Sequence, residues 1–330
     1  MTTESSPSAN PKICKPEMLR TRAKMLRATR RFFDDAGFLE VQTPCLSRDN
    51  VVDAHIDPVE VAGHALLLAR GMAAPQYYLQ TSPEFAMKRL LAEGVSSIYS
   101  LGPVFRAGER SPRHNIEFTM LEWYAVSASM DEVIQQTIDF VESLLPFGKP
   151  RVVTYRELFR ESLHFDPIDA PIETIEQVAQ QVDVSLARSL QGQRDELLDV
   201  LMTERIEPMI ANQMVLIRNY PITQAALARR CDDDSQTAER FELIVNGLEL
   251  ANGYGELLDA DELLARNKIS NEKRLATGRK PLPIDSRLIS AMRFGLPACS
   301  GVALGFDRLV MLALGTREIG DVLAFPIETA

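Results

Sequence analysis

The sequence predicts an α+β fold gathered into one compact domain. Three observations carry that expectation. Leu19, Ala23, Leu26 and Phe33 recur at helical spacing and lead into a short strand that stops at Pro44. Residues 116–126 alternate as a strand with two chemically different faces. Residues 299–315 run from a glycine-flanked strand straight into an apolar helix closed by Gly315.

Composition sets bounds. The 330 residues, 45% hydrophobic and 25% charged, suffice for a substantial core. A net charge of −10 argues against extensive contact with a nucleic-acid backbone, which calls for a basic face. No apolar run approaches membrane-spanning length, and the start of the chain lacks a signal-peptide core. A cytoplasmic location is expected. Cys14, Cys45, Cys231 and Cys299 show neither metal-ligand nor redox spacing, and reduced thiols fit that compartment.

Taken in order, residues 1–16 are rich in Ser, Thr, Pro and Lys and read as a disordered tail. The first helix stops at Gly37, and F-L-E-V-Q-T-P is the first strand. Residues 51–70 alternate loosely and suggest strands. Tyr77–Gln80 is another, followed by T-S-P-E, where Ser82 and Pro83 open a helix from Glu84 to Glu93. Glu84 is either a helix-start residue favoured by the dipole or a pocket residue, depending on which way that end faces.

Residues 95–105 read as strand and turn, and 130–145 as an amphipathic helix. A helical acidic block is expected over 154–240, with helices near 172–182, 193–211 and 235–246 and a buried strand at 214–221. In 241–258, Glu249 and Glu256 fall on opposite faces by strict alternation. A bulge at Gly253 and Gly255 would bring them together. A charged helix over 259–277 is broken by P-L-P.

The strand at 116–126 holds the richest chemistry. One face carries Ile116, Phe118, Met120, Glu122, Tyr124 and Val126, a mixture that suits a pocket floor. The other, with Leu121, Trp123 and Ala125, suits burial against helices. A loop holding Arg106, Arg113, His114 and Asn115 precedes it. Arg308 occupies the first turn of the last long helix, where free N–H groups already favour an anion, so a phosphate nearby would explain it. No G-x-x-x-x-G-K-[ST] occurs, and Gly253-Tyr-Gly255 lacks a third glycine in register. Two arginines, a flat aromatic and four carboxylates (Glu84, Glu122, Glu249, Glu256) remain. Together they ask for a nucleoside triphosphate plus a cationic small molecule.

These segments resemble the catalytic domain of the class II aminoacyl-tRNA synthetases, nearest the lysine enzyme. F-R-x-x-E with R-H-N-x-E-F-T-M-L-E-W-Y is similar to the second motif of that class, G-V-A-L-G-F-D-R-L-V-M-L to the third, and the helix ending G-F-L-E-V-Q-T-P to the first, which builds a dimer interface. T-S-P-E and E-L-A-N-G-Y-G-E-L resemble lysine-pocket segments. The likeness runs from Met18 to Ala330 and implies a mainly antiparallel sheet flanked by helices. It places a catalytic domain over 17–330, with the helical block as an insertion. Lysyl-tRNA synthetases carry an anticodon-binding barrel ahead of this region, where only residues 1–17 stand here, and Ala303 replaces a glycine usual in their third motif. Both departures resemble the lysine–elongation factor P ligases.

That resemblance implies a function: ATP-dependent activation of (R)-β-lysine as an acyl-adenylate, then transfer to a lysine side chain of elongation factor P. A truncated tRNA-charging enzyme and a non-catalytic lysine or nucleotide sensor are the alternatives. Carried over by motif, Arg106 and Arg308 act on the phosphates as catalytic residues. Gly108, Glu109, His114, Asn115, Phe118, Glu249, Leu250 and Gly305 join them around ATP. Whether Gly108 or Glu109 faces adenine is open. Ser82, Pro83, Glu84, Glu122, Tyr124, Asn252, Glu256 and Ala303 hold the amino acid, and Glu249 and Glu256 position Mg²⁺. A homodimer through residues 18–45 is expected, with no membrane partner and no tRNA.

Overall fold

The computed structural model describes residues 15–69 and 74–330. The tail expected over 1–16 lies almost wholly outside the described residues, and Lys15 and Pro16 already belong to the first helix. In chain order the elements begin with α1 (Lys15–Asp35), β1 (Leu39–Glu40), β2 (Leu46–Ser47), β3 (Glu60–Ala62), β4 (Gln76–Leu79), α2 (Glu84–Ala92), β5 (Ile98–Phe105), β6 (Glu117–Val126) and α3 (Met130–Leu144). There follow β7 (Arg151–Thr154), α4 (Tyr155–Leu163), α5 (Ile172–Gln180), α6 (Val184–Ser189), α7 (Arg194–Leu201), a π turn (Met202–Ile206), α8 (Glu207–Ile210), β8 (Met214–Pro221) and β9 (Thr237–Val245). The chain ends with β10 (Leu248–Gly255), α9 (Ala260–Ala276), α10 (Arg287–Gly295), β11 (Cys299–Gly305) and α11 (Phe306–Leu314).

Eight strands form one sheet in the order β1-β5-β6-β11-β10-β9-β8-β7. Only the two edge pairs, β1–β5 and β7–β8, are parallel. The mainly antiparallel sheet therefore stands as expected, and β2-β4-β3 make a small second sheet. No helix among the described residues is long and apolar enough to cross a membrane.

Alternation in the strands decides the layers. Leu121 and Trp123 of β6, Phe241 and Leu243 of β9, and Val302 and Leu304 of β11 face α1, α3 and α11 in one core. Phe33 of α1 lies at its centre, stacked on Tyr99 at 4.9 Å and 5.1 Å from Trp123. The opposite face of the sheet is covered only at its ends. At one end α2, α9 and α10 pack on Tyr124 and Cys299. At the other, α4 to α8 build a separate core on Val215 and Ile217 of β8. A cleft remains between them.

Several expectations change. Gly37, at φ +80°, ends α1 as anticipated. Met18, Met25, Thr29 and Phe33 are that helix's buried positions, whereas Leu19 is 42% exposed. Within 51–70, the described residues contribute one short strand and a single 3₁₀ turn. The helix expected near 235–246 is strand β9, closed onto β10 by Asn246 and Gly247, both at positive φ. That Asn-Gly pair is a strong hairpin signal, and it overrides the helix-favouring Ala, Glu and Arg before it.

Candidate active site

The cleft has a volume of about 900 Å³ and is floored by Phe118, Met120, Glu122 and Tyr124 of β6, as the strand's alternation anticipates. Its contents divide into two ends.

At one end the second-motif loop meets α11. The Arg106 guanidinium lies 5.1 Å above the Phe118 ring, a cation–π contact that leaves both groups facing the cleft. Arg308 donates to the Glu249 carbonyl at 2.7 Å and reaches His114 Nε2 at 2.8 Å. An arginine has no acceptor, so His114 Nε2 must accept and its proton sits on Nδ1. Nδ1 then donates to Ser111 Oγ at 2.7 Å. Burial and the neighbouring Arg308 hold the imidazole below its usual range, which keeps it neutral. Gly305 precedes α11, where an added Cβ would come within 3.2 Å of the Arg308 side chain. Gly108 and Glu109 differ in their placement. Glu109 lines the cleft, and Gly108 makes the turn at φ +77°. Asn115 is buried and braces the loop, donating to the Glu117 carbonyl at 2.7 Å and accepting from the Ile327 amide at 3.2 Å.

At the other end three carboxylates converge. Glu122, 2% exposed, accepts from Ser82 Oγ at 2.7 Å and from Tyr124 Oη at 2.6 Å. Burial and the nearby Glu84 push its carboxyl up to about 8, against the pull of those two donors. Glu84 does face the cleft. It is paired at 2.5 Å with Lys88, one turn along α2. The same Lys88 Nζ lies 2.5 Å from Glu256 Oε2. Burial raises Glu256 to about 7, opposed by Lys88. Burial also lowers the Lys88 ammonium, but its two carboxylates outweigh this and leave it above its ordinary value. Gly301 is required beside them, because a Cβ there would sit 2.5 Å from the Tyr124 ring and 2.6 Å from Glu256. Pro83 starts the helix without lining the cleft.

Between the two ends stand Ala303 and Asn252. Ala303 of β11 is in register with Glu122 on one side and Asn252 on the other. Asn252 donates to Glu242 at 3.1 Å. The carboxylates at 249 and 256 both reach the cleft, but the expected bulge at the glycines is absent. Pairing is regular through Gly253 and Gly255, and the register shifts between Glu249 and Ala251, which makes Leu250 the extra residue. Glu249 stays half-exposed, whereas Glu256 is buried against Lys88. Glu249 and Glu256 thus line the same cleft at different depths. Among the described residues no group of three or more His, Cys, Asp or Glu is placed to hold a metal ion. Glu249, half-exposed, is the open carboxylate, whereas both oxygens of Glu242 are engaged, by Tyr220 at 2.8 Å and by Arg240 and Asn252.

Sequence reasoning passed over Lys88, Arg240, Glu242 and Asp307. The first was legible as a Glu–Lys pair four apart on one helix. Asp307 was not, since its partners lie far away in the chain. It receives Arg22 of α1 in an ion pair and the Thr119 amide at 2.7 Å, tying three motifs together.

Comparison with known proteins agrees with this geometry. The family model for class II tRNA synthetases (D, K and N) matches residues 13–329. The chain is 42% identical over 320 residues to a Klebsiella pneumoniae protein named elongation factor P–(R)-β-lysine ligase, covering 96% of each chain. It is also 42% identical over 310 residues to a Yersinia pestis protein of the same name, covering 94% of each. With the family model and the whole-length similarity in accord, the chain belongs to the class II tRNA synthetase family.

Proposed function

We propose that this protein is an ATP-dependent ligase that activates (R)-β-lysine as an acyl-adenylate and transfers it to a lysine side chain of elongation factor P. The observation that carries the reading is the joining of two unlike ends along one strand. Phe118 and Glu122 are four residues apart on β6, which spans about 13 Å. That distance suits an adenine ring stacked at one end and the far ammonium of a lysine-length substrate at the other. Charge agrees. Once all three buried carboxylates are ionised, one internal cation, Lys88, leaves two negative charges for the two ammonium groups of β-lysine. The relatives' shared name supports the same substrate and the same acceptor protein.

The chemistry needs no general base for its first step, because the substrate carboxylate is already a nucleophile. It attacks the α-phosphorus of ATP and releases pyrophosphate. Arg106 and Arg308, held by Glu249, His114 and the Phe118 ring, supply fixed positive charge where the phosphates carry negative charge. Glu249 and Glu256, both in the cleft lining, would hold a Mg²⁺ ion. Such an ion would neutralise phosphate charge. The acceptor amine then displaces AMP to leave an amide.

The test is amino-acid-dependent ATP–pyrophosphate exchange with (R)-β-lysine and α-lysine in parallel, followed by transfer to elongation factor P. Exchange that favours the β isomer, with mass added to elongation factor P, is expected. Exchange with α-lysine alone would restore tRNA charging, and no exchange with either would point to a sensor.

A further inference from the structure

The cleft continues past Asn252 and Glu242 into a side chamber that the first half-reaction does not use. Its walls come from β8, β9 and the helical segment α4–α8. Tyr155, 1% exposed, lies at its base and packs at a tilt of 49° against Tyr220 with ring centroids 4.8 Å apart. The Tyr155 hydroxyl is buried and has no hydrogen-bond partner. Asn252 Oδ1 and Arg240 Nε, on the same cleft wall, are also buried without partners. The orphaned Tyr155 hydroxyl carries a desolvation cost unless something fills the recess.

The chamber's charge and shape narrow what that is. Asp195 and Asp199 of α7 line it, and neither has a cation within salt-bridge distance among the described residues. Asp195 accepts from Thr223 Oγ1 at 2.7 Å and Asp199 from Gln224 Nε2 at 2.9 Å, which fixes both carboxylates without neutralising them. Arg240 is already tied to Glu242. Arg266 is likewise paired with Glu262 and Lys273 with Glu196, so the cations in the cleft lining leave the two aspartates unmatched. Tyr155, Tyr220 and Met202 give it apolar sides, so its profile is an aliphatic stem ending in an ammonium group.

Met202 reaches the recess through the π turn. Pro208 lacks the N–H that an α-helix would pair with the Glu204 carbonyl, and the Glu207 amide bonds back to Met202 instead. Widened turns of this kind are frequent at functional sites.

The amino acid to be activated cannot fill this space while it occupies the Glu122 end. Tyr220 on β8 lies four strands from Glu122 on β6, about 19 Å at ordinary strand spacing. A second amine is needed, and the reaction supplies one. We infer that the chamber formed by Tyr155, Asp195, Asp199 and Tyr220 is the entry passage for the acceptor: a lysine side chain projecting from a partner protein, which the two aspartates steer in before it moves along the cleft to the acyl carbon. This rests on the ligase reading. It gives the helical segment α4–α8 a role in transfer that is separate from adenylate formation. Tyr155 and the aspartates act as binding residues. The amine nitrogen bonds to the acyl carbon, the acyl–phosphate C–O bond breaks, and AMP leaves with the electron pair. The ammonium proton passes to a chamber carboxylate, and the proton released on bond formation leaves with AMP.

The experiment compares Tyr155→Phe and Asp199→Asn with the wild-type chain in two assays, with circular dichroism to confirm folding. Pyrophosphate exchange with (R)-β-lysine is expected to stay within twofold. Transfer to elongation factor P is expected to lose at least tenfold in kcat/KM, mostly through KM. Unchanged transfer, or exchange and transfer falling together, would overturn the chamber's role. Should the wild type show no exchange at all, the ligase reading fails separately. Calorimetric binding of Nα-acetyl-lysine methylamide then decides the chamber: at least fivefold weaker binding to Asp199→Asn sustains it, and equal binding removes it.

Discussion

Glu122 holds its proton because it is buried beside Glu84, yet it must be ionised to meet an ammonium group. With a carboxyl raised from 4.5 to about 8, the empty pocket carries it protonated at neutral pH. Substrate binding therefore expels a proton, and affinity for (R)-β-lysine rises with pH until about 8. Stability runs the other way. The folded chain binds the extra proton, so this group's contribution is full below pH 4.5 and is lost as pH rises through 8. Titration calorimetry at pH 6.5, in two buffers of different ionisation enthalpy, should detect proton release in the wild type and a clearly smaller release in Glu122→Gln, where only Glu256, raised to about 7, still titrates. Equal release from both would assign the proton elsewhere. Ala303 poses the complementary question of shape. Its methyl group stands between Glu122 and Asn252, where overpacking against a misfitting ligand costs about 1–3 kcal/mol. Ala303→Gly should move the β-to-α ratio of kcat/KM in exchange toward α-lysine by about 5- to 150-fold. An unmoved ratio would remove Ala303 from isomer selection.

At the scale of elements, Lys88 joins α2 to the end of β10 by bridging Glu84 and Glu256 with 2% of its side chain exposed. Lys88→Met strands two carboxylates in a buried site, and breaking a buried ion pair costs about 3–5 kcal/mol. The urea midpoint should fall accordingly. Adding Glu84→Gln and Glu256→Gln should recover most of the loss, since neutral side chains no longer need the cation. If the triple variant is as unstable as the single one, packing and not charge explains the residue. Elements with a strong period or a clear stop were legible in the sequence: α1 to Gly37, β6 with its two faces, and β11 running into α11. Elements decided by distant partners were not. β9 carries helix-forming residues but is held between β8 and β10. The site was readable wherever motif residues share a strand face, as Phe118, Glu122 and Tyr124 do. It was opaque where a bulge changes parity, as at Leu250, or where a buried cation such as Lys88 claims two of the expected ligands.

At the scale of the molecule, the remaining question is what covers the outer face of α1. Leu19 and Leu39 are 42% and 53% exposed at the two ends of the first-motif segment. Scattered exposed leucines are ordinary in a monomer. This segment is special because its inner face reaches the catalytic elements directly. Arg22 pairs with Asp307, the neighbour of Arg308, and donates to Thr119, the neighbour of Phe118, at 2.7 Å. A second copy packed on α1 by a two-fold axis would hold that helix in place, and through Arg22 it would hold both ends of the nucleotide site. The expected particle is therefore a homodimer, twice 36.9 kDa. A Leu19→Asp, Leu39→Asp double variant should sediment as single chains and lose pyrophosphate exchange per chain at dilute concentration, while its fold by circular dichroism is kept. Because dissociation loosens Arg22, the loss should fall on kcat and on KM for ATP together, not on KM for the amino acid alone. A wild-type chain that sediments at 36.9 kDa at micromolar concentration with full exchange would show that α1 supports the site unaided.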